Sequence, residues 1–268
     1  MTLPSARRLA SALTALTLLS TAAHAEIDLG SLDVFAHDSP TSPVPKGLVL
    51  GTAVIGGDAR YQAQDAAGYV IPGFIYFGDQ FMYLGDRARY YFYKDETLAA
   101  YGYGRLRFGN LDPDEYVQFN GMEPRKWELE GGMGASLITP YALLSTRLST
   151  DVTGRSQGQE LLLWADFPII RDRLLIMPGM GMMIRSSKLA NYYFGGVSES
   201  EATAQRPAWD TGATLSPMVA IVTSYRFTPN WIGMFAANYE RYDEEVANSP
   251  LVQHQGELYA GFGIGYIW

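Results

Sequence analysis

The chain has 268 residues, with 20 Lys+Arg against 28 Asp+Glu, no cysteine, 47% hydrophobic residues and 28 glycines. Without cysteine there is no disulfide framework, thiolate metal site, cysteine nucleophile or lipid-modified N-terminal cysteine, and the apolar content excludes a disordered chain. A net charge of −8, with no basic run beyond the first ten residues, offers nothing to neutralise a phosphate backbone, so no nucleic acid is expected as a partner.

Residues 1–25 carry Arg7 and Arg8, an uncharged stretch from Leu9 to Ala23, and Ala23-His24-Ala25 before Glu26. A cationic start, a short apolar core and small residues at the cleavage positions read as a signal peptide cut after Ala25. The apolar core is shorter than the roughly 20 residues a spanning helix needs. Residues 26–45 contain Pro40, Pro43 and Pro45, a spacing that removes backbone donors and predicts a flexible periplasmic tail. Residues 46–268 then form one domain. No later segment is long and apolar enough for a helical span, which leaves a soluble exported protein or a transmembrane β-barrel, whose strands alternate lipid-facing and lumen-facing residues.

Past Lys46 the sequence falls into segments of about ten residues with Gly and aromatic content, bounded by turn residues, and none shows a helical period. Twelve strands are predicted: Lys46 to Asp58, Gly68 to Phe77, Gln80 to Gly85, Arg87 to Tyr93, Leu98 to Phe108, Trp127 to Ile138, Ala142 to Asp151, Gly158 to Asp166, Arg173 to Ser186, Asp210 to Phe227, Trp231 to Tyr242, and Gly256 to Trp268. Twelve is an even number, as single-chain bacterial barrels have.

Three central strands carry charge on one face. Tyr101, Tyr103, Arg105 and Arg107 share a side, as do Glu128, Glu130, Gly132, Gly134 and Ser136, and then Ser145, Arg147, Ser149 and Asp151. If strands pair in chain order, Arg105, Arg107, Glu128, Glu130, Arg147 and Asp151 form a ladder of opposite signs inside a narrow lumen, since unpaired buried charges would cost several kcal/mol each. The last strand alternates Leu258, Ala260, Phe262, Ile264, Tyr266 and Trp268 with Tyr259, Gly261, Gly263 and Gly265. Its apolar face suits lipid, and Tyr266 and Trp268 resemble the assembly signal that outer-membrane proteins offer to the barrel-assembly machinery. Trp164, Phe167, Trp231, Trp268 and the run Tyr90 to Tyr93 lie near predicted strand ends, where aromatic rings favour the headgroup level.

The connections divide by length. With a periplasmic N-terminus the even-numbered ones are short, as at Gly78-Asp79, Thr139 to Tyr141 and Thr228 to Asn230. Most odd-numbered ones are long: Gly109 to Lys126, Ser187 to Trp209 and Asp243 to Gln255. This is the asymmetry of outer-membrane barrels, broken only at Asp86. The fold class is therefore all-β, an antiparallel transmembrane β-barrel of about twelve strands with short periplasmic turns, in the outer membrane of a Gram-negative bacterium, with outer-membrane lipid and lipopolysaccharide around it.

Further motifs carry a resemblance. Arg107 and Asp112 precede Gly121-Met122, and Glu130-Gly131 follows. Asp151-Val-Thr-Gly-Arg-Ser-Gln-Gly158 leads to Asn191-Tyr192-Tyr193-Phe194-Gly195-Gly196-Val197 with Glu199 and Glu201, then Asn248-Ser249-Pro250-Leu251-Val252 and the Gly-aromatic last strand. In order and spacing the chain resembles the MipA/OmpV family of Gram-negative outer-membrane proteins over nearly the whole mature sequence, with Asn191, Tyr192, Tyr193 and Gly195 as the family-motif loop. The resemblance implies a non-enzymatic barrel without cofactor. One family member acts as a scaffold joining a murein transglycosylase to a murein synthase, and others are surface antigens or adhesins.

Chemistry outside the family is sparse. Beyond the leader the only histidines are His37, in the Pro-rich tail, and His254, in the last long loop near Ser249 and Glu257; a barrel-rim triad would have to use one of them. Glu128 and Glu130 face one side, as paired acids would, but neighbouring arginines point to ion pairs. Asp112, Asp114, Glu115 and Glu123 lack the spacing of a Ca²⁺ loop, so a solvated loop and no metal site is expected. Gly102-Tyr103-Gly104 and Gly179-Met180-Gly181 open no helix and read as barrel glycines. The expected function is a scaffold or binding protein; the alternatives are a narrow solute channel with a charged lumen, or an adhesin.

Overall fold

The computed structural model describes residues 30–268 except Ala63 and Asn110; residues 1–25, expected to be a signal peptide, and residues 26–29 lie outside the described residues. A short 3-10 helix (Gly30–Phe35) and two parallel two-residue strands, β1 (Ala36–His37) and β2 (Val44–Pro45), precede the barrel. The wall begins with β3 (Gly47–Gly57), β4 (Ala67–Phe77), β5 (Phe81–Tyr83), β6 (Arg87–Lys94), β7 (Leu98–Arg107) and β8 (Glu128–Ile138). It continues with β9 (Leu143–Asp151), β10 (Gln159–Asp166), β11 (Ile169–Arg171), β12 (Leu174–Arg185), β13 (Thr214–Thr228), β14 (Trp231–Arg241) and β15 (Gly256–Ile267). Every barrel pair is antiparallel, β15 closes onto β3, and β10 with its short continuation β11 lies against β12, so the wall has twelve staves and no free seam at its ends.

Alternation assigns the faces. Outward residues are large and apolar: Val70 is 71% exposed, Met133 62%, and Phe262 52%. A girdle of aromatic side chains, including Phe92, Tyr141, Phe227, Trp231, Tyr266 and Trp268, is exposed around the short-turn end. Tyr266 stands edge-on between Trp231 (5.5 Å) and Trp268 (6.1 Å), and the Trp268 amide donates to the Leu48 carbonyl (2.9 Å), tying the last residue to the first barrel strand. Trp164 departs from the expected girdle: it points into the lumen, where its Nε1 donates to Asp166 (2.7 Å), because Trp164 shares parity with Glu160 and Leu162 rather than with the outward residues of its strand.

Prolines mark where a ladder lacks one side. Pro72 lies on β4 beyond its pairing with β5, Pro178 faces the break between β10 and β11, and Pro217 lies one residue outside the β13–β14 pairing. A residue without an N–H is tolerated in a strand where no ladder bond is asked of it.

The segment expected to be a flexible tail is not one in its described part. Leu32 and Val44 are fully buried and pack with Phe77, Tyr91, Tyr101, Leu175 and Val222. Asp33 pairs with Lys94 (2.9 Å), the Ser224 hydroxyl donates to the Pro43 carbonyl (2.8 Å), and Arg226 donates to the Ser39 carbonyl (2.7 Å). The prolines do keep the chain extended, but Leu32, Phe35 and Val44 give it enough apolar surface to bury, so it folds into the periplasmic mouth as a plug. The absence of helices is also corrected: the long loops hold α1 (Ser187–Tyr193) and α2 (Glu244–Ala247). Both are too short to display a 3.6-residue period.

Candidate functional site: a closed lumen

The register places Arg105 opposite Glu130 and Arg107 opposite Glu128, and continues through Gly134 opposite Arg147 and Leu162 opposite Arg147. Charged side chains of six strands thereby converge. Glu130 accepts from Arg105 Nε (3.0 Å), Arg107 Nε (2.6 Å) and the Ser149 hydroxyl (3.4 Å). Glu160 is the hub, accepting from Arg105 (3.1 Å), Arg107 (2.6 Å), Arg147 (3.5 Å) and Arg185 (3.3 Å). Arg185 goes on to a bidentate pair with Glu240 on β14, one bond of which is 2.9 Å, and donates to Ser216 on β13 (3.4 Å). The result is an ionic girder from β7 to β14. Buried charges are tolerable here because each meets an opposite partner, and the central ones meet several; removing one leaves the others uncompensated.

Above the girder the long loops form a lid with its own core. Tyr61, Leu111, Phe119, Leu189, Tyr193 and Phe194 are among its buried members. The Phe194 ring lies 3.9 Å from the Arg185 guanidinium carbon, 4.1 Å from that of Arg60 and 5.9 Å from that of Arg107, so one aromatic ring presses on three cations. Arg60 donates to the Tyr242 hydroxyl (3.1 Å), the Tyr193 carbonyl (2.9 Å) and Glu257 (2.6 Å). Burial works against its charge, but the Glu257 carboxylate together with Tyr242, Tyr61 and Tyr259 outweighs it and holds the Arg60 pKa well above the ordinary value.

The loop of Asn191, Tyr192, Tyr193 and Gly195 anchors this lid. Asn191 donates to the Ser187 carbonyl (2.9 Å) and to Asp210 (2.7 Å), and accepts from the Thr211 amide (3.0 Å). Tyr192 accepts from the Lys126 amide (3.1 Å), and the Tyr193 hydroxyl donates to the Lys126 carbonyl (2.6 Å). Gly195 has φ +108°, and a Cβ there would lie 2.7 Å from the Ser249 hydroxyl, which donates to the Gly195 carbonyl (2.6 Å). A second clamp joins Arg125 to Glu201 (3.0 Å). Burial alone would raise the Glu201 pKa; the Arg125 bond and the Ser198 and Glu123 amides outweigh it and hold the carboxyl down at about 2.

Of the six charges assigned to the ladder, Arg105, Arg107, Glu130 and Arg147 lie within the girder, and Glu128 sits at its edge, 3.7 Å from Arg107 and accepting from the Ser156 amide (3.3 Å). Asp151 does a different job: it accepts from the amides of Thr153 (2.7 Å), Gly154 (3.1 Å) and Gln157 (2.9 Å), fixing the β9–β10 turn. The reading of the sequence missed Glu160, Arg185, Glu240, Arg60, Glu257 and Phe194. A signal for Glu160 existed: with Asp166 it is one of two acids at lumen parity in the strand Gln159–Asp166. Nothing local marks Arg60, whose partners Tyr193, Tyr242 and Glu257 come from distant segments, and Phe194 stands only within the motif of residues 191–197, which gives no hint of the cations beneath it.

The other chemistry stays unassembled. His37 and His254 are both exposed, and Ser249, the serine nearest His254 in sequence, is committed to Gly195. Among the described residues no cluster of His, Asp and Glu could hold a metal ion.

The model of the family described as MltA-interacting protein MipA matches residues 50–268. The chain is 27% identical over 224 residues to the MltA-interacting protein of Escherichia coli strain K12, covering 81% of this chain and 88% of that one. It is 27% identical over 155 residues to outer membrane protein OmpV of Vibrio cholerae, covering 58% and 60%. Among solved structures it is similar to an outer membrane channel from Pseudomonas putida F1, with 9% identity and a TM-score of 0.41 over 90% of this chain and 100% of that one. It is also similar to the CymD monoaromatic hydrocarbon channel, with 11% identity and a TM-score of 0.38 over 90% and 94%. With a twelve-stave barrel in place and a family match running from its first strand to residue 268, the chain belongs to the MltA-interacting protein MipA family of outer membrane barrel proteins.

Proposed function

We propose that this outer membrane barrel is a non-enzymatic scaffold, and that its periplasmic face binds a murein transglycosylase and, with it, a murein synthase. The observation that carries this reading is the closure of the lumen at both ends: the girder and lid fill the outer end, and the plug of residues 30–45 fills the periplasmic mouth. A barrel closed in this way acts through its surfaces. The plug presents an exposed turn, His37 to Thr41, beside a shallow pocket lined by Phe35, His37, Ser42, Pro43, Ile170 and Asp172, and this is the face that a periplasmic enzyme would meet. The name of the Escherichia coli relative, MltA-interacting protein, agrees with that class of partner.

The test immobilises the detergent-folded protein and measures capture of a soluble murein transglycosylase. Replacing residues 37–41 with a Gly/Ser turn is expected to abolish capture while heat-modifiable migration persists; undiminished capture would remove this face. In planar bilayers the protein is expected to give no discrete conductance. Steps whose ion preference changes with Arg105→Ala or Glu128→Ala would replace the scaffold with a charged channel.

A further inference from the structure

The barrel wall is low on one side. β5 has three residues and meets β4 only at Tyr76↔Tyr83 and Phe77↔Met82. The β5–β6 hairpin turns at Leu84, where the Leu84 amide donates to the Arg87 carbonyl (2.9 Å), and continuing the register sets its tip beside Ile75 to Gly73. Beyond the tip, the edge of β4 from Ala67 to Pro72 has no strand beside it among the described residues. That is roughly 20 Å of edge at about 3.3 Å per residue. Unpaired backbone at membrane depth is tolerated only where it is covered by protein or lines a cavity, so this stretch needs a cover other than a strand.

Behind this break the lumen has unusual chemistry. β3 and β4 carry no charged residue, nor does β15 after Glu257. Their inward positions, by parity with buried Val49 and Tyr259, include Ala53, Ile55, Ile71, Gly73, Gly261 and Gly263, of which Gly73 is exposed and the others half-buried. At Gly73 a Cβ would meet nothing within 4 Å. The surface is continuous with the outer face of the same strand, where Val70 is 71% and Phe74 48% exposed.

We propose that the gap between β4 and the β5–β6 hairpin is a lateral port, and that one acyl chain of an outer-membrane lipid enters through it to lie on the glycine-lined sector of the lumen. A charge-free strip with open space beside Gly73 fits a hydrocarbon chain. A second copy pairing along the edge fits less well, because Pro72 at its inner end lacks an N–H and stops strand addition there.

The full mature chain, reconstituted in phosphatidylcholine vesicles containing a phosphatidylcholine with a diazirine on its acyl chain, is irradiated and the adducts are mapped by peptide mass spectrometry. Adducts are expected on lumen-facing Ile55 and Ile71 as well as on outward Val54 and Val70. Gly73→Trp, which fills the port, is expected to abolish the lumen adducts, and Gly68→Trp, on the opposite face of the same strand, to leave them unchanged, with both variants heat-modifiable. Adducts confined to outward residues in the unsubstituted protein would overturn the port whether or not Gly73→Trp folds. Lumen adducts that persist in folded Gly73→Trp would also overturn it, and covalent dimers joined through residues 67–72 would assign the edge to a second copy.

Discussion

Glycine occurs on the lumen face in two sectors of this barrel, with opposite surroundings. On β8 a Cβ at Gly134 would lie 2.4 Å from the Tyr101 ring, and one at Gly132 would lie 2.1 Å from the Leu148 carbonyl; on β4 a Cβ at Gly73 would meet nothing. In the first sector glycine makes room for the large side chains of its neighbours: Tyr101 and Tyr103, over which Arg89 and Arg147 lie at 4.4 Å each. In the second sector Gly73 faces Gly51 across one ladder and, among the described residues, no strand on the other side, and the room beside it stays empty. The difference teaches that a glycine-rich strand says nothing of itself about lumen width; the residue across the ladder decides it.

The sharpest way to break this comparison is to unbalance the packed sector. Glu160→Ala is expected to cost about 3–5 kcal/mol, since four buried guanidinium groups lose a shared acceptor. Urea unfolding of the detergent-folded barrel reads this directly, and a loss under 1 kcal/mol would mean that the girder is hydrated and screened. The glycines come next. Gly134→Ala is expected to destabilise by about 1–3 kcal/mol through overpacking against Tyr101, while Gly73→Ala should stay within about 0.5 kcal/mol; equal effects would erase the distinction between the sectors. In the lid, Gly195→Ala is expected to cost about 1–3 kcal/mol for its positive φ, and the urea midpoint of that variant tests whether the lid and barrel unfold together.

The smallest expected effect is a pH dependence confined to the lid. Because the Glu201 pKa falls to about 2 in the folded protein, its clamp contributes stability above the ordinary value of about 4.3 that is lost as pH falls through the folded value. Pepsin cleavage within residues 198–209 should therefore rise between pH 4 and pH 2. Glu201→Gln should be cleaved readily at pH 4 and show no such step; an unchanged pH profile would show that the carboxylate is not what holds the loop.

The fold was unusually legible. Strands such as Leu98–Arg107 and Trp231–Arg241 differ from their expected bounds by a residue, because period-two alternation and turn residues are local properties of the chain. The same parity put Arg105 beside Glu130, since hairpins in chain order allow few registers. Parity was less informative where it was not followed, as in Gln159–Asp166, where it would have turned both Glu160 and Trp164 inward. The plug was misread because proline predicts extension but not location: Pro43 and Pro45 hold the chain straight, and burial of Val44 between them takes it into the barrel.

By itself, then, the sequence determined the strand number, the faces, the sidedness and the sign pattern of the central staves, all of which follow from alternation and connection length. Only the tertiary structure decided that the girder extends through Glu160 and Arg185 to Glu240, that Phe194 caps it, that residues 30–45 plug the mouth, and that the wall drops beside β4. Each of these depends on which surfaces meet across the lumen, and closure of the barrel sets that distance, which no local period encodes.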